Sequence, residues 1–119
     1  MTRRQFALLA GLLFGWSAAA AAATEKLAVV HVIIHDHAFQ PRVIHVKVGQ
    51  QIVWINTDQD PHTVTSGANN MDDGRWKSSP LIADGQTFTL RLTRPGTYPY
   101  FCKPHEFEES MHGTIIVSP

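Results

Sequence analysis

The chain has 119 residues, ten basic and ten acidic, of which 44% are hydrophobic, and one cysteine. That length allows one domain and no more. The balanced charge excludes the basic face that binding a phosphate backbone requires, and one thiol excludes an internal disulfide framework.

Residues 1–23, MTRRQFALLAGLLFGWSAAAAAA, run from a basic start through an apolar middle into small residues. This is the layout of a secretory signal with an A-x-A type cleavage site. Cleavage near Ala23 leaves a mature domain, residues 24–119. Adjacent Arg3 and Arg4, with Phe6 two residues on, point to twin-arginine export, although Leu9 and Ala10 stand where that signal often carries lysine. The general secretory route and an uncleaved anchor are the alternatives. Without Arg3 and Arg4, eight basic residues face ten acidic ones, a net charge near −2. A lone thiol in an oxidising compartment is a liability unless it is buried or bonded to something.

From there on, the periodicity is that of strands. LAVVHVII (27–34) is β-branched, with Val30, Val32 and Ile34 as its inward set. VIHVKVG (43–49) alternates Ile44, Val46 and Val48 against His45 and Lys47. QIVWIN (51–56) and HTVTS (62–66) follow, separated by a polar loop holding Pro61. GANNMDDGRWK (67–77) reads as loop with one irregular turn. QTFTLRLT (86–93) alternates cleanly through Phe88, Leu90 and Leu92. TYPYFC (97–102) and GTIIVSP (113–119) are the last strands. About seven short strands separated by turn signals predict an all-β, antiparallel Greek-key sandwich or barrel.

Cys102, His105 and Met111 lie on the connection between the last two strands. Such a loop can wrap one ion and offer it a thiolate, an imidazole and a thioether. Those donors, with one further histidine, are the ligand set of a type 1 (blue) copper site. His62, at a loop-to-strand junction 40 residues earlier, is the candidate for that histidine. Zinc is the lesser alternative, since it rarely pairs with methionine. A Cys-His nucleophile finds no group nearby to orient the base, so the chain does not read as an enzyme.

Here the residues resemble a known family. FQP (39–41), HVKVG (45–49), VWIN (53–56), PHTV (61–64), GTYPYFCKPH (96–105) and MHGTIIV (111–117) look like a cupredoxin, most similar to the amicyanins, with pseudoazurins and plastocyanins more distant. The resemblance implies an eight-stranded Greek-key sandwich and single-electron transfer through one copper ion cycling between Cu(I) and Cu(II). The ligands it implies are His62, Cys102, His105 and Met111. It also implies that Asn56 ties the two ligand-bearing loops together, and that His105 lies at the surface in an apolar docking patch. One departure stands out: five residues, EFEES, separate His105 from Met111, a lengthening of the amicyanin pattern. Met111 is read as axial, with Glu108, His112 or water as the alternatives if the longer loop carries it out of reach.

The expected partners are redox proteins such as a c-type cytochrome, a periplasmic dehydrogenase, an oxidase or a reductase, met by a monomer in the periplasm. Glu106, Glu108 and Glu109 are either a solvated loop or an attractive field for a basic partner. His31, His35 and His37 in HVIIHDH share one face if the strand runs on. They are read either as a solvent-facing edge or as a second Cu(II) or Zn(II) site with Asp36. The metal-site reading would favour copper delivery or resistance over electron transfer.

Overall fold

The computed structural model describes residues 27–119; the signal reading of residues 1–23 falls outside them. Among the described residues, nine strands form two facing sheets. They are β1 (Val30–Ile34), β2 (Phe39–Gln40), β3 (Val43–Lys47), β4 (Gln51–Asn56), β5 (Thr65–Ala68), β6 (Met71–Asp72), β7 (Thr87–Arg91), β8 (Gly96–Phe101) and β9 (His112–Ser118). One sheet runs β2-β1-β4-β7 and the other β3-β9-β8-β5-β6.

Alternation along each strand decides which faces meet. Val32 and Ile34 of β1, with Ile52 and Trp54 of β4, turn inward from the first sheet; Ile44, Val46, Tyr98, Tyr100, Ile115 and Val117 turn inward from the second. Val30 and Val48 only partly enter the core. β7 is an edge strand, so Phe88 and Leu90 are half-buried while Leu92 beyond it is buried. Trp76 is also a core residue: its indole N–H donates to the Val64 carbonyl at 3.3 Å, and the Arg75 guanidinium lies 3.8 Å over the Tyr98 ring.

The structure differs from the sequence expectation in two places. The sandwich is not purely antiparallel, because β1 pairs parallel with β4 and β3 with β9. Partners remote in sequence close these pairs, and alternation within one strand carries no record of direction. The segment from 67 is also more than a loop. Thr65–Ala68 and Met71–Asp72 form a hairpin whose tip, Asn69 and Asn70, has φ of 55° and 60°. Asparagine tolerates this left-handed backbone, and two-residue hairpins require it.

Pairing of the last strands is tight. Gly113 lies opposite Tyr100, and a Cβ there would come within 2.5 Å of the buried tyrosine ring. Gly113→Ala is therefore expected to destabilise the metal-free protein by about 1–3 kcal/mol in a denaturant titration. A loss within ~0.5 kcal/mol, that of an ordinary surface change, would show that Tyr100 moves aside.

Candidate metal centre

Strand pairing gathers the site at one end of the sandwich. In β8–β9, Phe101 faces His112, so the chain leaves and re-enters the sheet at one point, and the Cys102 amide donates to the Met111 carbonyl at 3.1 Å. In β5–β8, Thr65 faces Phe101, which brings the segment before Thr65 beside Cys102. His62 is anchored by a bridge to Ile82, with N–H to O distances of 3.2 and 2.7 Å. Between Cys102 and β9 the loop makes two single-turn 3₁₀ helices, Lys103–His105 and Glu109–Met111.

Three donors converge there. Cys102 Sγ is 3.6 Å from His62 Nδ1 and 3.3 Å from His105 Nδ1, and the two nitrogens are 3.2 Å apart. The centre of that triangle lies about 2 Å from each corner, the length of a bond from a metal to imidazole nitrogen and close to that for thiolate. One ion fits without rearrangement of the ligands. His62 and Cys102 are fully buried and His105 is half-buried.

The surroundings set the electrostatics. Burial pushes the Cys102 thiol up, against a hydrogen bond from the Thr63 amide to Sγ at 3.4 Å. A thiol held protonated gives up its proton when a metal replaces it. Burial likewise lowers the His62 pKa, against the Asp58 carboxylate, which accepts from His62 Nε2 at 2.9 Å. That contact occupies Nε2 and turns Nδ1 toward Cys102 Sγ and His105 Nδ1, so Nδ1 is the nitrogen a metal would meet. Burial also opposes the charge on Asp58, but the amides of His37 and Asp36 and the His62 ring outweigh it and hold its carboxyl below the usual range.

Met111 is completely buried within the same cluster as Cys102. The rival residues for its position are engaged elsewhere. The Glu108 carboxylate meets His37 Nδ1 at 3.0 Å, and His112 Nε2 meets the Glu106 carbonyl at 2.8 Å.

One expectation is corrected, and one of two open readings drops out. Asn56 does not join the ligand loops. Its amide donates to the carbonyls of Asp60 and Ile82, both at 2.9 Å, and its oxygen accepts the Asp58 amide, so it shapes the loop before His62. Thr63 makes the tie instead, through its amide to Sγ and through its hydroxyl, which accepts the Lys103 amide at 2.9 Å. That hydroxyl continues to Thr65 at 2.9 Å and on to Ser78 at 2.7 Å, a chain of hydroxyls under the ligand. Nor do His31, His35 and His37 assemble. β1 ends at Ile34, and Asp36 and His37 take φ of 56° and 52°, which turns His37 away from its neighbours. The metal-type groupings that include His37 combine it with Asp58 and His62, or with Asp60 and His105. His45 is exposed, as alternation predicts.

A two-sheet Greek-key sandwich that closes one thiolate and two imidazoles around a point is the architecture of a small mononuclear metal protein. The cupredoxin-like domain family matches residues 5–117, and the chain belongs to it. Copper is the metal of this family, and the donor triangle suits one copper ion. Amicyanin-alpha of Methylorubrum extorquens is 34% identical over 113 residues, covering 93% of this chain and 85% of that protein. Amicyanin of Paracoccus denitrificans is 38% identical over 74 residues, 62% of this chain and 53% of that protein. Plastocyanin of Scenedesmus fuscus is 33% identical over 86 residues, 66% and 85% respectively. Among solved structures, the Cu(I) form of an amicyanin mutant superposes with a TM-score of 0.66 at 32% identity, covering 82% of this chain and 89% of that one.

Proposed function

We propose that this chain is an exported blue copper protein that carries single electrons between larger redox partners. In this reading His62, Cys102 and His105 would hold the copper, and Met111, buried in the same cluster as Cys102, would add a thioether. The convergence of Sγ and two Nδ1 atoms within 3.6 Å carries this reading. Bound copper supplies a one-electron couple. The chain's own residues keep the donors still: Asp58 holds the His62 ring, Thr63 joins the two ligand loops and donates to the sulfur, and β8–β9 pairing fixes both ends of the loop. A carrier needs such stiffness, because a site that barely rearranges between oxidation states exchanges electrons quickly.

Residues 1–23 are the export signal in this reading, of twin-arginine type, and residues 24–119 the periplasmic domain. The relatives are redox carriers of the amicyanin and plastocyanin kind. A c-type cytochrome, dehydrogenase, oxidase or reductase fits as partner. Glu106, Glu108 and Glu109 would steer a basic one, with Phe107, 87% exposed, as an apolar contact beside His105. The delivery or resistance alternative loses its main support, because HVIIHDH does not fold into a metal group of its own.

The test is to load the purified mature domain with Cu(II) and record visible and electron paramagnetic resonance spectra. Intense blue absorption with narrow copper hyperfine splitting is expected; a colourless protein with ordinary splitting overturns the proposal. Met111→Leu removes an electron-donating thioether and is expected to raise the reduction potential in cyclic voltammetry. An unchanged potential and spectrum would remove Met111 from the ligand set.

A further inference from the structure

His37 lies at the tip of the turn between β1 and β2. The turn is closed by reciprocal bonds between His35 and Ala38, at 3.0 and 3.1 Å, with Asp36 and His37 both at positive φ. The Asp58 carboxylate accepts the amides of both, at 2.7 and 3.0 Å, while also accepting from His62. Backbone of this hand persists in non-glycine residues only where its surroundings enforce it. Here the enforcing group is also the one that holds a metal-ligand ring.

The His37 side chain then reaches across the site. Nε2 meets Asp60 at 2.8 Å and Nδ1 meets Glu108 at 3.0 Å, which raises the pKa of the ring. Its carbonyl accepts the Ser110 hydroxyl. Its ring lies edge-on to His105, centroids 4.4 Å apart, and to His62, 5.2 Å apart.

The ligand loop has little else to hold its middle. Its own backbone bonds, from the amides of His105, Glu108 and Met111, each reach back only three residues. Glu106 is half-buried, and Phe107, Glu108, Glu109 and Ser110 are exposed and bury nothing in the core. Among the described residues, apart from the local backbone bonds and two bonds from His112, its ring to the Glu106 carbonyl and its amide to the Glu109 carbonyl, the hydrogen bonds from residues 106–110 to the rest of the fold end on His37. The lengthening of this loop therefore coincides with a strut that meets it. A separate metal site at His37 is not the better account. Both groupings that include it share a ring with the centre already described, and its two nitrogens already face carboxylates on Asp60 and Glu108.

We propose that His37 is a positioning residue for the metal centre: it fastens the long ligand loop to the β1–β2 turn and so retains copper and keeps His105 in place. The copper part of this rests on the function proposed above. The experiment compares His37→Asn, Glu108→Gln, their double variant and Glu106→Gln in the full mature domain. Asparagine keeps the left-handed turn and removes the ring. Glu106→Gln makes the same charge change as Glu108→Gln without touching His37.

Two quantities are read: copper loss from the loaded protein to a Cu(I) chelator, and hydrogen exchange of the Glu108 and Met111 amides in the metal-free protein. His37→Asn is expected to lose copper on the order of 10-fold faster, the lower range for removing a group that orients ligands. Glu108→Gln shifts the same way, and the double variant is no worse than His37→Asn, because both cut one connection. Loop amides exchange faster while those of β4 and β8 stay protected. Wild-type rates in His37→Asn and Glu108→Gln, or an equal effect from Glu106→Gln, would overturn the proposal. If His37→Asn loses its fold, Glu108→Gln decides, since it alters one exposed contact. A wild-type domain that takes up no copper refutes the electron-carrier reading, and the amide exchange still judges the strut.

Discussion

Cys102→Ser should leave a folded protein without the blue absorption. The side chain is completely buried and serine nearly matches its shape, with an oxygen that still accepts the Thr63 amide. What is lost is the soft donor. An alcohol is not deprotonated at neutral pH as a metal-bound thiol is, so one of three converging ligands loses both its charge and its overlap with copper orbitals. Removing an outer partner of a ligand costs about 10–100-fold in metal affinity, and removing the ligand itself should exceed that. Copper titration followed by visible absorption, with circular dichroism as the control for folding, checks both halves. Retained intense colour in a folded Cys102→Ser protein would mean that the sulfur is not a ligand.

The largest expected effect on stability comes from Trp54. It has no exposed surface, and it packs on Phe88 and Tyr100 with ring centroids 5.9 and 5.5 Å away. Its indole N–H donates to the Tyr100 hydroxyl at 3.3 Å, and burial pushes that hydroxyl's pKa well up. Trp54→Ala opens a cavity between the sheets and should cost about 3–5 kcal/mol, a large part of the 5–15 kcal/mol that ordinarily holds a domain together. Trp54→Phe keeps most of the volume but strands a buried hydroxyl, at about 1–3 kcal/mol. Urea titration of the metal-free variants separates the two. An alanine variant within ~1 kcal/mol of wild type would mean that this end of the sandwich collapses around the gap.

These two residues differ in what made them legible. Trp54 stands in QIVWIN, which is apolar at four positions in a row, so its residue type marks it as core while the pairing of β4 between β1 and β7 sets the face it turns inward. Cys102, His105 and Met111 share one loop, and their chemical types narrow the ion they suit before any contact is known. His62 is remote in sequence; its donor type nominates it, and only β5–β8 pairing delivers it. The hairpin around Asn69 and Asn70 was hidden because polar, glycine-rich composition reads as loop, whereas backbone handedness makes it a turn between strands.

By itself, then, the sequence determined that this is a β-sandwich with a thiolate, imidazole and thioether on one strand connection, because side-chain chemistry and alternation are local properties. Tertiary structure decided the rest: the parallel pairings of β1 with β4 and β3 with β9, the role of Thr63 rather than Asn56 between the ligand loops, the carboxylate of Asp58 behind His62, and the turn of His37 across the centre. Asp58 lies only four residues before His62, yet the loop must fold back for them to meet; the other features depend on which distant segments lie side by side, and a hydrogen bond that spans many tens of residues leaves no periodic trace in either partner.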